Sequence, residues 1–286
     1  MIQIQNLRQI KNRLKSIANT RQITKAMEMV SASKLNKVKS AFHLSRPYAE
    51  AMQTMLYDII SDCPGIRSVL VKKREAVNSI TLLVITSDTG LCAGYNDNII
   101  KFAEQFLKSR TGHAVDIMAI GREGYNYFRN SGYTVGSSYL NLYGRYSPQV
   151  SDEISARLIQ AFLDGSTDEV YVVYTIFNTT LRHAPVVEKL LNIEPVAVER
   201  KYYAFEPSSQ ALMDSMAFRF ITQKVRSIIL EAFTSEHFTR MLAMKTATEN
   251  ADELTDELTL ARNKARQFAI TKEVLEIAAS AEALKG

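Results

Sequence analysis

The turn Ser87–Gly94 (SDTGLCAG) is the stretch whose residue types come nearest to a nucleotide site. It follows the apolar, β-branched run Ser79–Thr86, and doubly wound sheets bind nucleotides where their strands end. Its glycines, however, fit neither G-x-G-x-x-G nor G-x-x-x-x-G-K-[ST], so no phosphate cradle is recognisable. The spacing favours a tight strand-to-helix turn at the edge of a sheet domain.

Cys92 lies in this turn and would need a nearby histidine to act as an activated nucleophile. The four histidines are scattered with no spacing that indicates such a partner, and no His and Cys pair has metal-ligand spacing. The acidic residues of Glu249–Glu257 recur at helical spacing and are most simply a solvated helix face. The sequence therefore predicts no catalytic residue, no cofactor and no metal site.

The middle of the chain predicts an α/β sheet domain, because ten of the eleven glycines lie between Gly65 and Gly165 and strand patterns alternate with helical ones. The last strand is expected to return antiparallel to the one before it. The predicted strands are Ser79–Thr86, Ala114–Ile120, Tyr133–Gly136, Val170–Phe177 and Leu181–Lys189. The predicted helices are Asn96–Lys108, Arg122–Asn130 and Ser151–Leu163, with Ser151 as the N-cap.

The C-terminal segment Ser209–Gly286 predicts one very long helix, since it has no proline and no glycine before Gly286. A 4-3 register of mostly Leu, Phe, Met and Ala runs through it, which is typical of a coiled-coil seam. Five seam positions are Ala, which lets a partner helix approach closely. The register is Arg226, Leu230, Phe233, His237, Arg240, Met244, Ala247, Ala251, Leu254, Leu258, Ala261, Ala265, Phe268, Lys272, Leu275 and Ala279.

The N-terminal segment supplies the expected partner helix. Apolar 3-4-3 spacing runs over 7–17 and resumes over 35–42, but the positions between are polar, and apolar residues shift to Ile23, Met27 and Val30. We expect the seam to swing around the helix there; the alternative is a plain amphipathic helix with an irregular stripe. Antiparallel pairing with the C-terminal helix is the better interpretation. Pro47 is expected to loosen the helix, which then ends at 63–65.

Charge is concentrated at the N-terminus. The chain carries a net +5, and residues 1–46 hold ten Lys and Arg against one acidic residue. Nucleic acid is one candidate partner, but no aromatic residue precedes Phe42 to stack on bases, so acidic loops of a surrounding protein are slightly favoured. Two cysteines suit a reducing compartment, and no apolar run reaches the roughly 18 residues of a membrane span.

Five stretches in this order resemble the gamma subunit of rotary ATP synthases. Thr20–Leu35 (TRQITKAMEMVSASKL) resembles its N-terminal helix, Ser87–Gly94 its SDRGLCGG turn, and Phe205–Pro207 its FEP or YEP corner. Arg240–Ala251 and Asn263–Thr271 are similar to its C-terminal signature. The departures are Thr89 for Arg, Ala93 for Gly, Arg262 for Tyr and Ser280 for Gly.

The resemblance implies a long antiparallel coiled coil of the terminal helices with an inserted Rossmann-like α/β domain, divided as 1–62, 63–208 and 209–286. It implies a non-catalytic rotor shaft that couples c-ring rotation to conformational cycling of the beta subunits in a proton-translocating ATP synthase. The alternative function is a coiled-coil nucleic-acid-binding or structural adaptor protein with a basic N-terminal arm.

Implied partners are three alpha and three beta subunits, an epsilon subunit and a c-ring, with one copy of this chain per complex, no nucleic acid and no transmembrane segment. Absence of a recognisable transit segment favours a bacterial protein, peripheral on the cytoplasmic side of the inner membrane. By analogy, Tyr203 and Glu206 face the c-ring and epsilon. The residues implied to contact beta subunits are Met27, Cys92, Arg240, Arg266, Gln267 and Thr271.

Overall fold

The computed structural model describes residues 7–62, 68–177, 184–194, 206 and 208–283. Within these residues the chain forms a long helix, a mixed sheet domain and a second long helix. The elements in order are α1 Leu7–Asp62, β1 Ser79–Ile85, α2 Tyr95–Ser109, β2 Ala114–Ile120, α3 Arg122–Asn130, β3 Val135–Tyr139, α4 Pro148–Leu163, β4 Glu169–Thr175, β5 Pro185–Leu191 and α5 Ser209–Ala283.

The five strands form one sheet in the order β3-β2-β1-β4-β5. β1 pairs in parallel with β2 and with β4, and β2 pairs in parallel with β3. β5 returns antiparallel to β4, as the sequence predicts. The Rossmann-like sheet inserted between two long helices is therefore confirmed.

The sheet is buried on both faces, as a parallel sheet requires. Residues alternate along β1: Leu82 and Val84 pack in a cluster with α2 and α3, whereas Leu83 and Ile85 pack in a cluster with α1, α4 and α5. This period of two explains why the strand reads as a continuous apolar run. The terminal helices thus cover one face of the sheet directly.

Several predicted elements differ from the structure in their bounds, and two of these differences have a clear physical cause. β3 begins at Val135 rather than at Tyr133, because the stretch before it is the turn that leaves α3. The prediction of Ser151 as an N-cap is wrong: α4 starts at Pro148, with Ser147 as N-cap, and Ser151 donates to Pro148 O from inside the helix. Proline is favoured in the first helical turn because its missing N–H has no intrahelical partner there.

Both terminal helices are longer and more continuous than single-domain helices usually are. α1 runs through Pro47 without a break and ends at Asp62. α5 holds 75 residues and ends at Ala283. No helix within the described ranges is both long and apolar enough to cross a membrane.

The chain divides into two compact units, one of residues 1–30 with 241–286 and the other of residues 31–240. The divisions fall inside α1 and α5, whereas the boundaries predicted at 62 and 209 coincide with helix ends. In the first unit the two helices are antiparallel, since Arg21 pairs with Asp252 and Thr24 with Thr248.

The predicted swing of the α1 seam is wrong. The register positions Thr24 and Ser31 stay buried, at 8% and 3% exposure, whereas Ile23 and Val30 are 60% and 56% exposed. A hydroxyl side chain can be buried in the seam when it is hydrogen-bonded, as Thr24 is to Thr248. The seam therefore continues along the same register positions, and the side chains at Thr24 and Ser31 are polar instead of apolar.

Candidate functional site

The Ser87–Gly94 turn leads from the end of β1 into α2 and is built around the Asp88 carboxylate. Its Oδ1 accepts the main-chain N–H groups of Arg122 and Asn141 at 3.1 and 2.9 Å, and its Oδ2 accepts that of Tyr143 at 2.7 Å. Asp88 is only 7% exposed. The carboxylate is thus occupied by backbone donors of its own chain.

Cys92 is buried in the same turn. Its Sγ lies 3.4 Å from Asn96 Nδ2 and 3.8 Å from Ser87 Oγ, and burial raises the pKa of the thiol. A raised pKa disfavours the thiolate, the form that a nucleophile requires. The geometry therefore supports a structural thiol, and the implied contact between Cys92 and a beta subunit remains a prediction.

The Arg240 guanidinium on α5 donates three hydrogen bonds to groups of its own chain. Nη1 donates to Glu236 Oε1 at 2.6 Å, Nη2 to Thr89 O at 2.7 Å, and Nε to Gly90 O at 3.3 Å. Burial raises the pKa of Glu236, and the adjacent guanidinium opposes that rise. In this structure Arg240 ties α5 to the turn after β1; its implied contact with a beta subunit remains a prediction.

The loop 140–147, which joins β3 to α4, is held by both long helices. His237 of α5 donates from Nε2 to Gly144 O at 2.9 Å, and Lys34 of α1 donates to Tyr143 O at 3.1 Å. Burial lowers the pKa of His237 to about 4, so its ring is neutral near pH 7. Gly144 is required there, because a Cβ would lie 2.3 Å from His237 Nε2.

These residues form a polar cluster, buried except at Lys34, that we call the Asp88 cluster: Lys34, Asp88, Gly144, Glu236, His237 and Arg240. Every polar contact described above is internal, and the described residues contain no group of His, Cys, Asp and Glu that could hold a metal. The arrangement suits fixing segments to one another rather than reaction chemistry. Sequence reasoning missed Asp88, His237 and Gly144 as members, since their partners are distant in sequence and carry no shared spacing.

The C-terminal part of α5 has the opposite character. Arg266, Gln267 and Thr271, all implied beta contacts, are exposed, and Thr271 Oγ1 bonds only to Gln267 O within the helix. Met27 on α1 is half-buried. These four side chains lie in the coiled-coil unit, whereas Cys92 and Arg240 lie in the sheet-containing unit.

Large apolar side chains accompany the exposed polar ones near this end of α5. Phe268 and Leu275 occupy the seam register, while Ile270, Val274 and Ile277 lie roughly opposite it at about 100° per residue. Their exposed fractions run from 52% for Ile270 to 69% for Ile277. We call residues 266–277 the apolar tip. A helix that is apolar on opposite faces is normally surrounded by other chains.

The two residues implied to face the c-ring are less informative. Glu206 is exposed. Tyr203 lies outside the described residues. Their roles stay predictions.

Comparison with known sequences identifies the family. The model of the family described as ATP synthase matches residues 6–284. A gamma chain of ATP synthase from Geobacter sp. (strain M21) is 40% identical, over 98% of this chain and 99% of the relative. A gamma chain from Chloroflexus aurantiacus is 37% identical, over 97% and 98%.

Solved structures share the fold. The central stalk and c-ring structure of Tetrahymena thermophila mitochondrial ATP synthase contains a chain with a TM-score of 0.61 and 23% identity, covering 79% of this chain and 99% of that one. A chain of the Euglena gracilis mitochondrial ATP synthase rotor gives 0.65 and 17%, covering 92% and 98%. With two long terminal helices, an inserted sheet and relatives matched over nearly their full length, this chain belongs to the ATP synthase gamma chain family.

Proposed function

We propose that the chain is the central rotor shaft of a bacterial ATP synthase, coupling rotation of a c-ring to conformational cycling of catalytic beta subunits. The observation that carries this is the apolar tip in a chain of the gamma family. Its exposed apolar residues on opposite faces of α5 suit a surrounding ring of subunits better than a single partner helix.

The tip also has chemistry suited to rotation. A shaft must turn inside its bearing, so most of its surface should avoid deep interlocking with one subunit. Torque then requires a few polar contacts with the beta subunits, and Arg266, Gln267 and Thr271 are exposed and available for them. Arg266 suits an acidic partner best, because its guanidinium binds carboxylates in a bidentate manner.

The assembly is proposed to hold three alpha and three beta subunits around one copy of this chain. The sheet domain is proposed to stand on the c-ring beside an epsilon subunit, with Tyr203 and Glu206 toward the ring. The complex is proposed to lie on the cytoplasmic side of the bacterial inner membrane, and the proposed coupling ion is the proton. ATP chemistry belongs to the beta subunits in this scheme, and this chain supplies no catalytic group.

Reconstitution tests the rotor assignment directly. The purified chain is mixed with matching alpha and beta subunits, and the expected product is a 3:3:1 complex with cooperative ATPase activity. Deleting 251–286 removes the tip and is expected to abolish the activity. A chain that elutes apart from alpha and beta would contradict the proposal.

Single substitutions in the apolar tip test the proposed polar contacts with the beta subunits. Arg266→Ala and Gln267→Ala are expected to lower the ATPase rate or the coupling of the assembled complex. Lys101→Ala is the matched control, because Lys101 is an exposed residue of α2 in the sheet domain. A variant that matches the control in both rate and coupling would remove its residue from the proposed contacts.

The nucleic-acid alternative rests only on the basic N-terminal segment, whereas the relatives and solved structures described above are ATP synthase chains. Binding measured at low and high salt would separate it, because phosphate contacts weaken steeply as salt rises.

A further inference from the structure

We propose that Asp88 is a positioning residue that fixes the sheet domain onto α5, so that angular load on the sheet passes into the shaft. The inference rests on the proposed rotor function. It concerns only residues 31–240, which form one compact unit.

The first step is what Asp88 holds. Its three donors are main-chain N–H groups: one at the start of α3, from Arg122, and two in the loop 140–147, from Asn141 and Tyr143. Main-chain donors cannot move without moving the chain itself. Hydrogen bonds to a carboxylate are also roughly twice as strong as those between neutral groups. Asp88 thus ties the end of β1 to two distant segments of backbone.

The second step is that the loop is strained. Asn141 and Tyr143 have φ of +64° and +51°, in the left-handed region. A non-glycine side chain is sterically disfavoured in that region, less so for asparagine than for tyrosine. Such conformations persist only where the surroundings over-determine them. The Asp88 carboxylate accepts the N–H groups of both strained residues, so it is the group placed to hold them.

The third step connects the loop to the long helices. Gly144 O receives the ring N–H of His237 from α5, and Tyr143 O receives Lys34 from α1. On the other side of Asp88, the carbonyl groups of Thr89 and Gly90 receive Arg240 from α5. Asp88 therefore lies between two sets of contacts to α5. One set is made by the turn, at Thr89 and Gly90, and the other by the loop, at Gly144. Removing it releases the loop from the sheet while leaving Arg240 in place.

The decisive variants are Asp88→Ala and its matched control Asp168→Ala. The Asp168 carboxylate also accepts three hydrogen bonds, from Asn78 N, Ser79 N and Ser79 Oγ, and those partners lie at the start of β1 rather than at α5 or the loop. Both variants lose a carboxylate with three donors in the same domain. Only the first is expected to loosen the connection to α5.

Two measurements are made on the assembled complex in vesicles. Hydrogen exchange of the Asn141 and Tyr143 amides reports whether the loop is released, and exchange at least about tenfold faster is expected in Asp88→Ala, because a hydrogen bond to a charged acceptor contributes that much. ATP-driven ion uptake, followed with a pH-sensitive dye and divided by ATP hydrolysed, reports coupling per assembled complex. A merely structural role would lower the yield of complex without lowering this ratio.

The expected result is faster exchange at the loop and a lower coupling ratio in Asp88→Ala, with both values unchanged in Asp168→Ala. Faster exchange with an unchanged ratio, or unchanged exchange, would overturn the proposal, as would an equal loss of coupling in the control. Should Asp88→Ala fail to fold, Asp88→Asn keeps the test open, because one amide oxygen can still accept two of the three N–H groups. A wild-type chain that does not assemble with alpha and beta would instead refute the rotor function, and the exchange arm would still be measured on the free chain.

Discussion

Thr24 of α1 and Thr248 of α5 face each other across the antiparallel helix pair, with their hydroxyl oxygens 2.8 Å apart. Both are buried, and each hydroxyl also lies within hydrogen-bond distance of a carbonyl of its own helix: Arg21 O for Thr24 and Met244 O for Thr248. The two hydroxyl hydrogens can fill only two of these three contacts at any moment, and either hydroxyl can donate to the other. The seam is polar at this point, and both buried hydroxyls have hydrogen-bond partners.

Replacing Thr24 with Val is expected to destabilise the helix pair by about 1 kcal/mol, because Thr248 keeps its bond to Met244 O and no buried donor is orphaned. The double variant Thr24→Val with Thr248→Val should cost less than the sum of the two single variants, by about 0.5–1 kcal/mol. Hydrogen exchange of the α1 amides around Thr24 measures each variant. Thr255→Val is the control, since Thr255 bonds only to Ala251 O in its own helix. Strictly additive costs would show that the two hydroxyls do not interact.

Gly144→Ala is expected to destabilise the chain by about 2–4 kcal/mol, combining left-handed strain at φ +64° with a Cβ 2.3 Å from His237 Nε2. Gly165→Ala separates the two causes. Gly165 has φ +79° but open space around its Cβ position, so it should cost only about 1 kcal/mol. Urea unfolding of both variants gives the difference. Equal costs would mean that the His237 ring moves aside freely.

Ala93→Gly is expected to stabilise the protein by about 0.5–1 kcal/mol, because Ala93 has φ +49° and glycine adopts that conformation without strain. Gly94→Ala is the counterpart, since Gly94 has φ −81° and its Cβ would meet only ordinary contacts; it should change stability by less than about 0.5 kcal/mol. Thermal unfolding measures both. A loss of stability in Ala93→Gly would show that the turn stores no strain at this residue.

His237 gives the fold a pH dependence of defined sign. Its pKa falls from 6.5 in the unfolded chain to about 4 in the fold, so between these values the unfolded state binds more protons. Its contribution is fully present above about pH 6.5 and is lost as the pH falls toward 4, by about 3 kcal/mol in total. The charged groups near it are Lys34 and Arg240, which also lower its pKa, and the neighbouring Glu236.

Urea unfolding from pH 7 to pH 4 isolates this contribution when wild type is compared with His237→Gln. Glutamine can donate to Gly144 O but does not titrate in this range. The raised pKa of Glu236 acts in the opposite direction, since it favours the fold at low pH, and it is common to both proteins. The wild type should lose more stability than the variant as the pH falls. Parallel curves would show that His237 is protonated in the folded state.

The sequence predicts local elements well and the buried contacts poorly. The bounds of β2 and α3 agree with the prediction to the residue. The choice of Ser151 as the N-cap overlooks Ser147-Pro148, which is a helix-start signal in its own right. The Asp88 carboxylate had no signal, because its donors are backbone N–H groups whose residue types do not matter. The α1 seam differs from its prediction for a related reason. Apolar character favours Ile23 and Val30, whereas the structure buries Thr24, whose hydroxyl bonds across the helix pair.

The apolar tip also bears on how much of this protein a cell can hold uncombined. Five large apolar side chains that are more than half exposed would drive copies of the free chain to associate with one another or with unrelated proteins. In the proposed assembly one copy of this chain serves six alpha and beta subunits. We therefore expect free copies in excess of their partners to aggregate or to be removed by proteolysis. The side chains that would contact the surrounding subunits in the complex therefore make the free chain prone to aggregation.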